Sequence, residues 1–261
     1  GKDSLSNTTT GSNNVAVGIG ALEDSTTGNS NTALGSEALT NNTTASSNTA
    51  IGADALFANT TGTRNVAIGA LAGDANTDGD DGTFIGYAAG GANTTADDNV
   101  AVGNFAFDAN TTGANNTAIG RSSLSANTTA ANNTAVGYAS SLANTTGTQN
   151  TAVGSLALYS NTTASNNTAV GYLSLHANTT GAENTAVGQG ALDANTTASY
   201  NTAFGKDAAG AITTGHSNTA IGRYSLLTST TGNYNTGLGR DALRYTTTAD
   251  NNTGIGFSAL S

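Results

Sequence analysis

The chain has 261 residues, with 7 Lys and Arg against 17 Asp and Glu, a formal charge of −10, and no Cys, Met, Pro or Trp. That acidic balance argues against a phosphate backbone as partner, so nucleic acid is not expected, and zero Cys excludes a disulfide framework or a thiolate metal site. No apolar run is long enough for a membrane span and no basic-then-apolar segment reads as a signal peptide, so any targeting segment is removed or lies outside these residues.

Residues 1–13 already sit inside a 17-residue repeat: Gly1, Leu5 and Gly11 occupy the positions that these residue types hold further on. From Asn14 the period runs without a slip, its first position being Asn at Asn14, Asn31, Asn48, Asn65 and onward to Asn252, with Gly82 the one departure. Short fixed periods mark units that cannot bury an apolar face alone and must stack on copies of themselves. The expected fold is therefore mainly β, a parallel β-solenoid with 17 residues per coil. It is expected as one continuous array over 1–261, with a partial coil at 1–13, fourteen full coils over 14–251 and a partial coil at 252–261. At about 4.8 Å per coil such an array makes a rod of roughly 70 Å. Neither end departs from the repeat, which leads us to expect a window from a longer protein or ends covered by further copies.

Within each coil, positions 2 to 4 read Thr-Ala-Val or a close variant, such as Val66-Ala67-Ile68, and β-branched residues two apart predict one short strand. On this pattern positions 2 and 4 face inward. Position 3 is Ala in twelve coils, with Phe84, Gly237 and Gly254 the exceptions, so a close neighbour is expected on the other face, either another chain or another layer of the same coil. Positions 6 to 11 favour Ala, Leu, Ser, Asp and Tyr, as in Glu37-Ala38-Leu39, which predicts a helical turn or tight bend with Leu at position 9 as its core anchor. The Asn-Thr-Thr-Gly tail has turn chemistry, and stacking places Asn above Asn in hydrogen-bonded ladders. The lack of Pro fits internal strands that use every backbone donor.

Asn65-Val66-Ala67-Ile68-Gly69 and Asn99-Val100-Ala101-Val102-Gly103 resemble the repeats in head domains of trimeric autotransporter adhesins. The whole unit, as in Asn150-Thr151-Ala152-Val153-Gly154 through Asn161-Thr162-Thr163, is more similar still to repeat regions of bacterial and phage tail-fibre-like proteins. The resemblance implies an extracellular, fibrous, often trimeric structural or adhesive element. The adhesin heads have shorter repeats, and the chaperone domain that often ends tail-fibre-like proteins is not in this sequence.

Chemistry-bearing departures are few. Asp74-Ala75-Asn76-Thr77-Asp78-Gly79-Asp80-Asp81 has the spacing of the first half of a calcium loop, although its twelfth position is Ile85 rather than Glu. Asp97 and Asp98 repeat Asp80 and Asp81 one coil later, so Asp74, Asn76, Asp78, Asp80, Asp81, Asp97 and Asp98 form a candidate Ca2+ site. Arg64, one coil before Asp81 and in register with it, offers the alternative of a surface ion pair. Tyr87, Tyr138 and Tyr172 share position 6 and read either as a sugar-binding strip or as cover for apolar surface. His176 and His216 each stand alone in their register and read as surface residues; no Ser, His and Asp recur together as an activated nucleophile would require. Ranked Thr residues raise ice binding, but adjacent Thr-Thr points its side chains to opposite faces. Triplets such as Asn110-Thr111-Thr112 fit the N-glycosylation sequon, which this repeat generates unavoidably.

The sequence thus predicts a non-enzymatic extracellular structural fibre or filament component with an adhesive or matrix role. Its partners are copies of itself, end to end or lateral, including a homotrimer, and glycans, and no cofactor is required. A trimeric adhesin or tail-fibre shaft that binds host glycans is the alternative, and an ice-binding module a third.

Overall fold

The computed structural model describes residues 1–261, in two compact units, Gly1–Asn132 and Asn133–Ser261. The first carries β1 (Val15–Val17), β2 (Thr32–Leu34), β3 (Thr49–Ile51), β4 (Val66–Ile68), β5 (Thr83–Ile85), β6 (Val100–Val102) and β7 (Thr117–Ile119), each paired in parallel with the next. The second carries β8 (Thr134–Val136), β9 (Thr151–Val153), β10 (Thr168–Val170), β11 (Thr185–Val187), β12 (Thr202–Phe204), β13 (Thr219–Ile221), β14 (Thr236–Leu238) and β15 (Thr253–Ile255), paired in the same way. Register is exact to the repeat, so Ala152 lies beside Ala169 and Ala169 beside Ala186. Each unit is a parallel β-solenoid with one three-residue strand and 17 residues per coil, as the period predicted.

No helix forms. The tight-bend half of the expectation for positions 6 to 11 stands and the helical half does not. Non-glycine residues at positions 7 and 9 hold left-handed backbone, for example Leu156 (φ 59) and Leu158 (φ 53), and a right-handed helix cannot contain such alternation. Hydrogen bonds here run mostly between coils: the Leu158 N–H donates to Ser174 O at 2.9 Å, while local bonds close single turns, such as Ala157 N–H to Gly154 O at 3.3 Å. Left-handed backbone disfavours a non-glycine residue by about 1–2 kcal/mol. The inter-coil bonds, each worth about 1 kcal/mol, and burial of the position 9 side chain offset that cost. Position 5 is glycine for a steric reason: with φ of 135° at Gly69, an added β-carbon would lie 2.5 Å from the Gly86 carbonyl oxygen of the next coil.

The inward face is the reverse of the one predicted. Ala at position 3 is fully buried, whereas positions 2 and 4 look outward: Ala152, Ala169 and Ala186 lie in the core between strands whose flanking residues are half-buried, and Val17 remains 54% exposed. A three-residue strand presents one side chain to one face and two to the other, and this coil is too narrow to take the two. Its core is built from positions 3, 8 and 9, seen in Ala152, Ala157, Leu158, Ala169 and Leu175. Ala is the resident of position 3 because the bend of the same coil packs directly over it, which settles the predicted close neighbour as another layer of the coil. Phe84 tests this account. It is the one aromatic at position 3 and is fully buried, and the position 9 residues beside it are Gly73 and Gly90 in place of Leu. A β-carbon on Gly73 would sit 2.7 Å from Phe84 Cδ2, and one on Gly90 would overlap the same ring. Core volume is conserved by moving it from two coils into one.

Two asparagine ladders complete the interior, as predicted. At position 1, Asn167 N–H donates to Asn150 Oδ1 at 3.0 Å while its carboxamide donates to Gly181 O at 2.9 Å. At position 12, Asn161 Nδ2 donates to Asn144 Oδ1 at 2.8 Å, Asn178 Nδ2 to Asn161 Oδ1 at 3.0 Å, and Asn195 Nδ2 to Asn178 Oδ1 at 2.8 Å. These side chains are buried, so every bond matters: a buried polar group left without a partner costs about 1–3 kcal/mol. This ladder runs from Asn42 to Asn195 and stops where Ile212 occupies position 12, leaving Asn195 Oδ1 with no donor.

Candidate functional site

With positions 1, 3, 8, 9 and 12 committed to the interior, function must lie in what each coil turns outward. The outward column at position 4 is apolar in every coil. In the first unit it runs Val17, Leu34, Ile51, Ile68, Ile85, Val102 and Ile119, and in the second from Val136 to Ile255 by way of Phe204, which is 57% exposed. Position 2 beside it is Thr or Val. In the first unit, seven coils at about 4.8 Å make a strip of roughly 34 Å, and three residues at about 3.3 Å a width of roughly 10 Å, an apolar-centred face of about 340 Å²; the eight coils of the second give roughly 380 Å². A strip of this size is within the range of the largest apolar patch on a typical monomer, a patch that is often functional, and here its period is unbroken. Sequence reasoning missed it because the same alternation was assigned to the core; the signal that separates the two is the small residue held at position 3.

The candidate Ca2+ residues are brought into neighbouring coils but not onto one point. Asn76 is fully buried in the position 12 ladder, donating to Asn59 Oδ1 at 2.8 Å and accepting from Asn93 Nδ2 at 2.9 Å, so both ends of its amide are engaged. Asp80 Oδ1 accepts from the Thr63 N–H at 2.6 Å and from Thr63 Oγ1 at 2.9 Å, and Asp97 Oδ1 accepts from the Asp80 N–H at 2.8 Å. Arg64 makes a forked contact with Asp81, Nε to Oδ1 at 2.6 Å and Nη2 to Oδ2 at 2.7 Å, and reaches Asp80 Oδ2 at 3.2 Å. That hydrogen-bonded guanidinium holds the Asp81 carboxyl below the usual carboxylate range. Asp78 and Asp98 are exposed, and Asp74 is half-buried with its pKa raised, chiefly by desolvation. No group of three or more acidic or His side chains converges as a metal would require. The ion-pair alternative is the arrangement present.

The two histidines have partners that their isolation in sequence conceals. His176 stacks on Tyr159 with centroids 5.3 Å apart, and its Nδ1 lies 3.8 Å from Asp193 Oδ1. His216 meets Tyr234 edge-on at 5.1 Å. Of the position 6 tyrosines, Tyr87 packs against Phe105 at 5.2 Å, and Tyr138 and Tyr172 are exposed in coils apart from it. They form no strip.

The Thr and Asn columns also sort by face. Position 13 hydroxyls are half-buried and donate to the next coil, as Thr162 Oγ1 does to Thr179 O at 3.2 Å, which removes them from any flat hydroxyl array; position 14 remains exposed. Asn110, the acceptor of the Asn-Thr-Thr sequon, is fully buried and donates to Asn93 Oδ1 at 3.0 Å and Gly113 O at 3.1 Å, so the sequon that the repeat generates is closed in the folded coil. A second set, unremarked in the sequence reading, is open. Asn115-Asn116-Thr117, Asn132-Asn133-Thr134, Asn166-Asn167-Thr168 and Asn251-Asn252-Thr253 place an exposed Asn at position 17 and its Thr on the outward side of the following strand.

No helix is long and apolar enough to cross a membrane. No protein-family model matches the chain, and no curated protein or solved structure is significantly similar to it.

Proposed function

We propose that this chain is a non-catalytic structural component of an extracellular fibre, whose copies associate laterally through the outward apolar face of the sheet. The observation that carries the reading is the position 4 column, Val, Ile, Leu or Phe in every coil although it faces out. A chain built only to persist in water gains nothing from it, and two copies gain from covering it. Because both would carry the same period, side chains of one sheet can settle between those of the other along the whole length. One unit's face alone falls short of the roughly 800 Å² per partner of a standard interface, so lateral association through it is expected to be weak per unit and to gain from repetition along a fibre. The adhesin-like Asn65-Val66-Ala67-Ile68-Gly69 motif supports a second reading, the shaft of a trimeric adhesin or tail fibre.

Electron cryomicroscopy of the purified protein, with Val153→Lys/Val170→Lys in parallel, tests the proposal. The wild type is expected to form laterally paired or bundled filaments, and the variant to stay dispersed with an unchanged circular dichroism spectrum. Three-fold cross-sections would move the assignment to the adhesin shaft. Dispersed single chains at every wild-type concentration would refute both.

A further inference from the structure

The second unit carries a local departure from the repeat at the position 17 turn. Position 17 is a left-handed turn residue in every complete coil, and Asn, which tolerates that backbone best, holds it at Asn115, Asn132 and Asn166. Tyr200 (φ 63) and Tyr234 (φ 55) place bulky aromatic residues there, two coils apart, with His216 at the adjacent position of the coil between them. The conformation belongs to the coil, as at Gln149 (φ 58) and Glu183 (φ 58), so what sets these two sites apart is the aromatic side chain and its exposure. Neither tyrosine is used for the core: Tyr200 is 59% exposed and Tyr234 57%.

Beside Tyr200 opens a shallow cleft of about 310 Å³, lined by Thr197, Ala198, Ser199, Tyr200, Thr214 and His216; Tyr234 does not line it but meets its His216 edge-on at 5.1 Å. Its chemistry is aromatic and hydroxylic. Ser199 Oγ accepts from the Ala182 N–H at 3.0 Å and so keeps its own hydrogen to donate, and His216 Nδ1 is taken up by Ser217 Oγ at 3.2 Å, which leaves Nε2 as the ring nitrogen for a ligand. No lining residue is Asp, Glu, Lys or Arg, and the chain as a whole carries a charge of −10, which disfavours an anionic ligand.

We infer that this cleft is a binding site for a neutral, extended, β-linked polysaccharide. The apolar faces of its pyranose rings would stack on Tyr200 and Tyr234, and its hydroxyls would meet Ser199, Thr214 and His216 Nε2. The two tyrosines are separated by about 10 Å along the coil stack, a span comparable to two pyranose units of a β-1,4-linked chain, so alternate rings fall on successive aromatics. The inference goes beyond the structural role and does not depend on filament formation.

Affinity electrophoresis through gels containing hydroxyethyl cellulose, followed by calorimetric titration with cellohexaose, tests it on the whole chain. Retardation of the wild type is expected, with Tyr200→Ala and Tyr234→Ala each weakening cellohexaose by about tenfold. Tyr138→Ala, an exposed tyrosine outside the cleft, should leave the affinity unchanged. These surface substitutions keep the coil core, and circular dichroism confirms the fold. A wild type that is not retarded, or a Tyr138→Ala loss equal to that of Tyr200→Ala, overturns the proposal.

Discussion

Removing asparagine from the position 12 ladder should cost an amount that depends on the rung, and the break at Ile212 supplies the comparison. Asn178 donates to Asn161 Oδ1 and to Gly181 O at 2.9 Å, and accepts from Asn195 Nδ2. Asn178→Ala therefore strands Asn161 Oδ1 in the core, while Asn195 Nδ2 keeps Ala198 O at 3.1 Å. Asn195→Ala strands Asn178 Oδ1 but deletes Asn195 Oδ1, which already lacks a donor. The first variant adds one unsatisfied buried acceptor and the second adds none, with the same side chain removed from the same coil position. The difference in stability should be about 1–3 kcal/mol, with Asn178→Ala the less stable, or a midpoint difference on the order of 1 M in urea. Equilibrium urea denaturation followed by circular dichroism measures it. Ile212→Asn closes the cycle: it supplies a donor to Asn195 Oδ1, so in that background Asn195→Ala should cost as much as Asn178→Ala does in the wild type. Equal losses for the two single variants, or a larger one for Asn195→Ala, would refute the claim that the amide ladder holds the coils.

Three further outcomes follow from the same geometry. Phe84→Ala should destabilise the first unit by about 3–5 kcal/mol through the cavity it leaves between Gly73 and Gly90; Phe84→Ala/Gly73→Leu/Gly90→Leu, which restores the common coil, should recover most of that in thermal unfolding, and no recovery would contradict the volume exchange. Burial raises the pKa of Asp108, whose Oδ1 is buried without a donor, so its contribution to stability is full below the unfolded carboxylate range and is lost as pH rises through the folded pKa. Asp108→Asn should accordingly raise the urea midpoint at pH 7 and lose that advantage at low pH, whereas a constant gain would point to another cause. Glycopeptide mass spectrometry of material from its natural source should place any N-linked glycan on exposed asparagines such as Asn7, Asn115, Asn132, Asn166 or Asn251, and not on Asn110, Asn161 or Asn178; a glycan on one of those buried residues is incompatible with the ladder.

Period, strand position, the Leu anchor at position 9 and both asparagine ladders are legible in the sequence, because each repeats with the coil and repetition fixes which residues lie side by side. The Arg64 to Asp81 pair is legible for the same reason, being one period apart. What stacking does not fix is direction within a coil. Three residues of strand carry too little alternation to say which face is inner, and two β-branched residues flanking an alanine read as a core when they are a surface. Only the closure of the coil decides it: the bend over Ala152 and Ala169 leaves room for a methyl group and no more. Closure also turns positions 6 to 11 into left-handed bends bonded from coil to coil, seals the Asn110 sequon while leaving the Asn115 one open, and brings Tyr200 and His216 around one cleft with Tyr234 against His216. The repeat determines neighbours along the stack, since identical coils superpose; the tertiary structure alone decides inside from outside, since that depends on how much volume one coil can enclose.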